Sequence, residues 1–129
     1  LCAVWDRGCS SALVERLAKV PERRLSVVSY VETGTVIAGR MRGDPGRAVP
    51  LLDAFLAELG VRLHPVDEAQ TRVALQARIA YGRGFGAAAG LNFGDCFAYA
   101  LAKAAGAPLL FKGDDFARTD MTACGAGSS

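Results

Sequence analysis

Four acidic residues stand where hydrolytic metal chemistry would want them: Glu32, Asp95 and the adjacent pair Asp114 and Asp115. Carboxylates gathered without nearby His or Cys ligands suit a hard divalent cation, Mg²⁺ or Mn²⁺. Glu32 and Asp95 each fall in the first turn of an expected helix, and Asp114 and Asp115 in the turn after an expected strand. An α/β topology can collect such positions at one end of a sheet. Two of the acids have a structural alternative. Glu32 with Ser29 matches a capping box, and Asp95 is a favourable charge near the positive end of a helix that Asn92 can cap.

The elements that must carry these acids are legible in the hydrophobic periodicity. Ala12 to Val20 reads as a short amphipathic helix stopped by Pro21, and Arg24 to Val28 as a strand. Ser29 is the expected N-cap of a helix that contains Val36 and Ile37 and ends near Gly43. Asp44-Pro45 restarts a helix, in which Val49, Leu52, Phe55, Leu56 and Leu59 keep helical spacing until Gly60. Val61 to Pro65 is a second strand candidate, and Asp67 with Gln70 caps a helix reaching Tyr81. Gly82 to Gly90 is a glycine-rich loop. Asn92 then caps the clearest helix, with Phe93, Cys96, Phe97, Ala100, Leu101 and Ala104 on one stripe and Gly106 at its end. Pro108 to Phe111 reads as a short buried strand, Met121 to Ala123 as a last extended segment, and 125–129 as a frayed tail. Strands alternating with helices on short connections predict an α/β fold with a largely parallel sheet, in a single domain over residues 1–129.

Composition narrows the function. The 129 residues carry 15 Lys+Arg against 13 Asp+Glu, a net charge of +2, which is far from the basic excess of a nonspecific nucleic-acid coat. Twelve of the cations are Arg and three are Lys, and the planar guanidinium suits phosphate contacts. Arg83, Lys112 and Arg118 are candidate phosphate contacts because they flank the acidic turns, with surface ion pairing as the alternative. No apolar run reaches the length of a membrane-spanning helix, and the expected location is the cytoplasm. Cys2, Cys9, Cys96 and Cys124 form no CxxC pair, so reduced, non-catalytic thiols are expected.

Two other features offer competing chemistry. Gly82-Arg83-Gly84-Phe85-Gly86 resembles a phosphate-cradling loop, but it follows an expected helix where a dinucleotide fingerprint follows a strand. His64 is the only histidine and has no nucleophile within sequence reach.

Three segments carry a family resemblance: Ser29-Tyr30-Val31-Glu32, the run Gly90-Leu91-Asn92-Phe93-Gly94-Asp95-Cys96-Phe97-Ala98-Tyr99-Ala100-Leu101-Ala102, and Pro108-Leu109-Leu110-Phe111-Lys112-Gly113-Asp114-Asp115-Phe116-Ala117-Arg118-Thr119-Asp120. In wording and order they resemble the motifs of PIN-domain ribonucleases, in particular the VapC toxin branch of bacterial toxin–antitoxin pairs. The resemblance runs from about Ala12 to Met121. It implies a three-layer sandwich with a short parallel sheet flanked by helices, a Mg²⁺-dependent endoribonuclease (Mn²⁺ as the other suitable ion), a homodimer, and neutralisation by a VapB-type antitoxin. By the same resemblance Glu32, Asp95 and Asp115 match catalytic, metal-binding acids, with Asp114 as the alternative to Asp115.

One departure stands out. Members of that family usually open with a short apolar strand ending in an Asp that is the first metal ligand. The opening Leu1-Cys2-Ala3-Val4-Trp5-Asp6 resembles the residues just after that strand, and Asp6 does not match the missing ligand. The expectation is that a short upstream segment carrying strand and ligand is absent, leaving a less stable and weakly active chain. The competing function is then a catalytically impaired PIN-like module that binds antitoxin or RNA without cleaving.

Overall fold

The computed structural model describes residues 23–86 and 90–106. Over them the order is strand β1 (Arg23–Ser26), helix α1 (Val27–Arg40), a 3₁₀ turn (Pro45–Arg47), helix α2 (Ala48–Leu59), strand β2 (Val61–His64), helix α3 (Glu68–Tyr81) and helix α4 (Phe93–Ala105). The expected helix at Ala12 to Val20, the strand at Pro108 to Phe111, the acidic turn after it and the segment at Met121 to Ala123 lie outside the described residues.

β1 and β2 pair in parallel, with Arg23 opposite Val61, Leu25 opposite Leu63 and Ser26 opposite His64. A parallel pair needs a long crossover. α1 and α2 supply it, so the α/β class expected from the alternation of elements is the one observed.

α1 departs from expectation in a way that matters for the site. The strand ends two residues early, at Ser26, and Val27-Val28, whose β-branched side chains suggested strand, open the helix instead. Ser26 is the N-cap: its extended backbone (φ −64°, ψ 143°) lets its hydroxyl accept from the Val28 N–H at 3.3 Å. Ser29 is therefore inside the helix and buried, and the capping box expected between Ser29 and Glu32 does not form. The helix also stops at Arg40, short of Gly43. Asp44-Pro45 begins a 3₁₀ turn, and α2 proper starts at Ala48.

The other caps follow the sequence. Asp67 accepts from Gln70 N–H at 2.8 Å. Gly60 and Gly106 close α2 and α4 in the left-handed region, at φ 66° and 61°, which a residue with a Cβ adopts only at a cost.

Two apolar clusters hold these elements together. Ala74 and Ala77 of α3 pack on Leu91 and on Cys96, Ala98, Tyr99, Ala100 and Ala102 of α4, with the Tyr81 and Tyr99 rings tilted at 5.7 Å. The small residues on both helices permit a close approach, and bulk comes from the aromatic rings. The second cluster joins α1 to α2 through Ile37, Ala48 and Leu52. Tyr30 adds a polar tie between the same helices, its hydroxyl donating to Asp53 Oδ1 at 2.6 Å.

The glycine loop folds back on the chain. Gly82 bridges Leu91 in parallel, Arg83 N–H donates to Leu91 O at 2.8 Å, and Leu91 N–H donates to Tyr81 O at 2.8 Å. Phe85 N–H donates to Gly82 O at 3.2 Å. The Arg83 and Phe85 amides that a phosphate cradle would present are thus already bonded to carbonyls. What the loop does is fix Leu91, and with it the start of α4.

Candidate active site

α1 and α4 meet at their N-terminal ends, and the meeting point is acidic. Because Ser26 caps α1, Glu32 lies beyond the first turn, where its carboxylate cannot serve the helix's own amides. It turns instead onto α4. A Cβ built on Gly94 would overlap the end of the Glu32 side chain, so the glycine lets that carboxylate lie against α4. Val27, Val28, Val31 and Glu32 form one wall of an open groove of about 640 Å³, and Asn92, Phe93 and Gly94 form the other.

Asp95 follows Gly94 in the same turn and is held by a reciprocal pair of bonds. Asn92 Oδ1 accepts from Asp95 N–H at 2.8 Å, and Asp95 Oδ2 accepts from Asn92 N–H at 3.1 Å. The sequence predicts only a favourable charge here beside the Asn92 cap; the structure adds the reciprocal capping box, which locks the carboxylate at the helix mouth. The positive end of α4 disfavours a bare cation, so attraction for one must come from the carboxylates.

Of the acids read from the sequence, Glu32 lies against Gly94 in the groove wall and Asp95 sits in the capping box at the same helix end, while Asp114 and Asp115 lie outside the described residues, as do Lys112 and Arg118. Among the described residues no three His, Cys, Asp or Glu side chains converge. Arg83 is exposed on the loop bonded to Leu91. His64 ends β2 opposite Ser26.

The chemistry of the donors can be tested against a metal. Glu32, Asp95 and the Asn92 carboxamide are hard oxygen groups, and none of the residues lining the groove offers sulfur or imidazole. That set fits Mg²⁺ or Mn²⁺ better than Zn²⁺. Cys96 lies just behind it, buried, with its thiol on Asn92 O at 3.4 Å. Burial pushes that thiol up from its ordinary range, Arg78 opposes the rise, and the Asp95 charge adds to it. A protonated, buried thiol is a packing group, as expected from the cysteine spacing.

Three contributors escaped the sequence reading. Asn92 was legible only as a cap, yet it lines the groove. Gly94 was passed over, although a glycine in the first turn of an otherwise strong helix lowers its propensity and so marks a close approach. Phe93 falls on the helical stripe of α4 in the sequence, and it is 65% exposed at the groove.

The profile of the PIN domain matches residues 6–121, most of the chain. The chain is 48% identical over 118 residues to a ribonuclease VapC of Mycolicibacterium smegmatis, covering 92% of this chain and 88% of that one. It is 44% identical over 112 residues to ribonuclease VapC42 of Mycobacterium tuberculosis, covering 87% and 83%. Ribonuclease VapC28 of the same organism is 43% identical over 116 residues, covering 90% and 85%. The chain belongs to the VapC ribonucleases of the PIN-domain family.

Proposed function

We propose that this chain is the toxin of a type II toxin–antitoxin pair, an endoribonuclease that hydrolyses RNA phosphodiester bonds with Glu32, Asp95 and Asp115 as its metal-binding acids. The observation that carries the reading is the packing of the Glu32 carboxylate against Gly94, beside Asp95, in a groove whose polar donors are all oxygen. The names of the VapC relatives support the activity.

In this reading Glu32 and Asp95 would hold Mg²⁺, with Asp115 as the third acid and Asp114 as its alternative. Bound there, the ion would supply Lewis-acid polarisation of a phosphate and a lowered pKa for a bound water. The chain's own residues do the positioning. Asn92 fixes Asp95 through the capping box, Gly94 admits Glu32, and the Leu91 bridge holds the turn that presents both. Arg83, Lys112 and Arg118 contact RNA phosphates. The protein acts in the cytoplasm as a homodimer and is silenced by a VapB-type antitoxin.

The test is cleavage of total RNA by the purified protein in Mg²⁺ and in EDTA. Cleavage in Mg²⁺ that EDTA abolishes, and that Glu32→Gln abolishes, supports the reading. Cleavage that survives either change contradicts it, and absence of cleavage with retained RNA or antitoxin binding assigns the chain to a binding role.

A further inference from the structure

We infer that Phe93 is a stacking platform for an unpaired RNA base next to the scissile phosphate, which makes it a substrate-contact residue of the groove. This rests on the reading of that groove as an RNA-cleaving site.

Three observations converge on the ring. First, it is held in place rather than left to fold away. Phe93 is the first residue of α4, directly after the Asn92 cap, and Phe97 on the next turn braces it edgewise with centroids 5.1 Å apart and planes at 63°. Second, despite that brace the ring is 65% exposed, where an aromatic side chain of this size would ordinarily be covered. Third, its surroundings are mixed in a specific way. Across the groove Val27 and Val31, spaced one turn apart on α1 and 36% and 64% exposed, offer a second apolar wall, and the Glu32 carboxylate lies beside them.

The occupant of such a groove must be flat and apolar at one end and carry its charge at the other, within reach of the acids. A nucleotide has that shape: a base for the apolar walls and a phosphate for a carboxylate-held cation. A purely apolar peptide would take the Glu32 carboxylate out of water, which is costly. Aromatic rings on single-strand sites work in this way, since every base has a face to stack while a duplex keeps its base faces to itself. The groove therefore selects unpaired RNA, and the ring sets which phosphate meets the acids.

The experiment uses the full chain, its Phe93→Leu variant, which keeps apolar bulk without the ring, and Phe93→Trp, which enlarges the ring. A short single-stranded oligoribonucleotide carrying 2-aminopurine is titrated in Ca²⁺ in place of Mg²⁺, a hard cation that can join carboxylate to phosphate, and fluorescence reports stacking. Cleavage of the same RNA and of its hairpin form is measured in Mg²⁺.

Stacking predicts quenching by the parent and the Trp variant, and binding to Phe93→Leu weaker by about 5- to 100-fold. KM for the open RNA rises by a similar factor in the Leu variant, and the hairpin form is cut more slowly by the parent. If the parent cleaves and the Leu variant matches it in quenching and KM, the inference falls and the nuclease reading stands. If the parent does not cleave but quenching depends on Phe93, the nuclease reading falls and the stacking site stands. Neither cleavage nor quenching overturns both. If Phe93→Leu loses binding of a cationic, apolar peptide titrated in parallel while its RNA binding stays intact, the groove belongs to a protein partner and the inference falls.

Discussion

The Glu32 carboxylate fills the space that a side chain on Gly94 would need, which ties an acid on α1 to the backbone of α4. The flexible end of Glu32 is what would yield to any larger residue. Gly94→Ala should therefore act on the site rather than on the fold. In the first turn of a helix the change raises propensity, so stability should hold or rise by up to about 1 kcal/mol. Activity should fall by about 100-fold, since displacing a catalytic group by an ångström suffices for that. Thermal denaturation beside cleavage rates checks both halves.

Asp95 has two duties that a pair of substitutions separates. Asp95→Asn keeps an oxygen that accepts from the Asn92 N–H, so the cap survives while the negative charge is lost. Asp95→Ala loses both, and should cost about 1 kcal/mol of stability. Both variants should be inactive, and only the Ala variant should melt early. Equal melting of the two would mean that the capping bond contributes nothing.

A cation held by Glu32 and Asp95 in the folded protein alone would stabilise the fold by mass action. Mg²⁺ at about 100 times its Kd should therefore stabilise the protein by about 2.7 kcal/mol. Glu32→Gln should lose most of that gain. Calorimetric scans with and without Mg²⁺ read it directly.

Tyr30 gives a pH signature. Its hydroxyl donates to Asp53, and that bond, with some burial and the Asp53 charge, raises the phenol above its ordinary value of 10.0. A raised pKa means that the folded state prefers the protonated phenol. Its stabilisation is fully present below the unfolded value near pH 10 and is lost as pH rises through the folded value. Urea denaturation of Tyr30→Phe should show less alkaline loss above pH 10 than the parent, and an identical alkaline limb would contradict the bond.

Much of this was legible in the sequence where the signal was local. Asp67 three residues before Gln70, Asn92 three before Asp95, and glycines at 60 and 106 each name a helix end through bonds made within a turn. The start of α1 was not. Ser26 and Ser29 are both sound caps, and Val27-Val28 read as strand because β-branched residues favour extended backbone. The packing of α1 between β1, α2 and α4 decides for Ser26, and that choice alone frees Glu32 from a capping role. The pairing of Glu32 with Gly94 and the bridge from Gly82 to Leu91 are tertiary contacts, which spacing along the chain does not encode. The exposure of Phe93 was hidden for the same reason: it lies on the helical stripe, but its ring packs edgewise on Phe97 and not within the cluster that joins α3 to α4.

The most direct measurement is the initial rate of RNA cleavage as a function of Mg²⁺ concentration for the parent, Glu32→Gln and Asp95→Asn. The account predicts a saturable rise for the parent, abolished by EDTA, and rates lower by at least about 100-fold for both variants at every Mg²⁺ concentration. Parent-like rates in either variant, or cleavage indifferent to Mg²⁺, would contradict it.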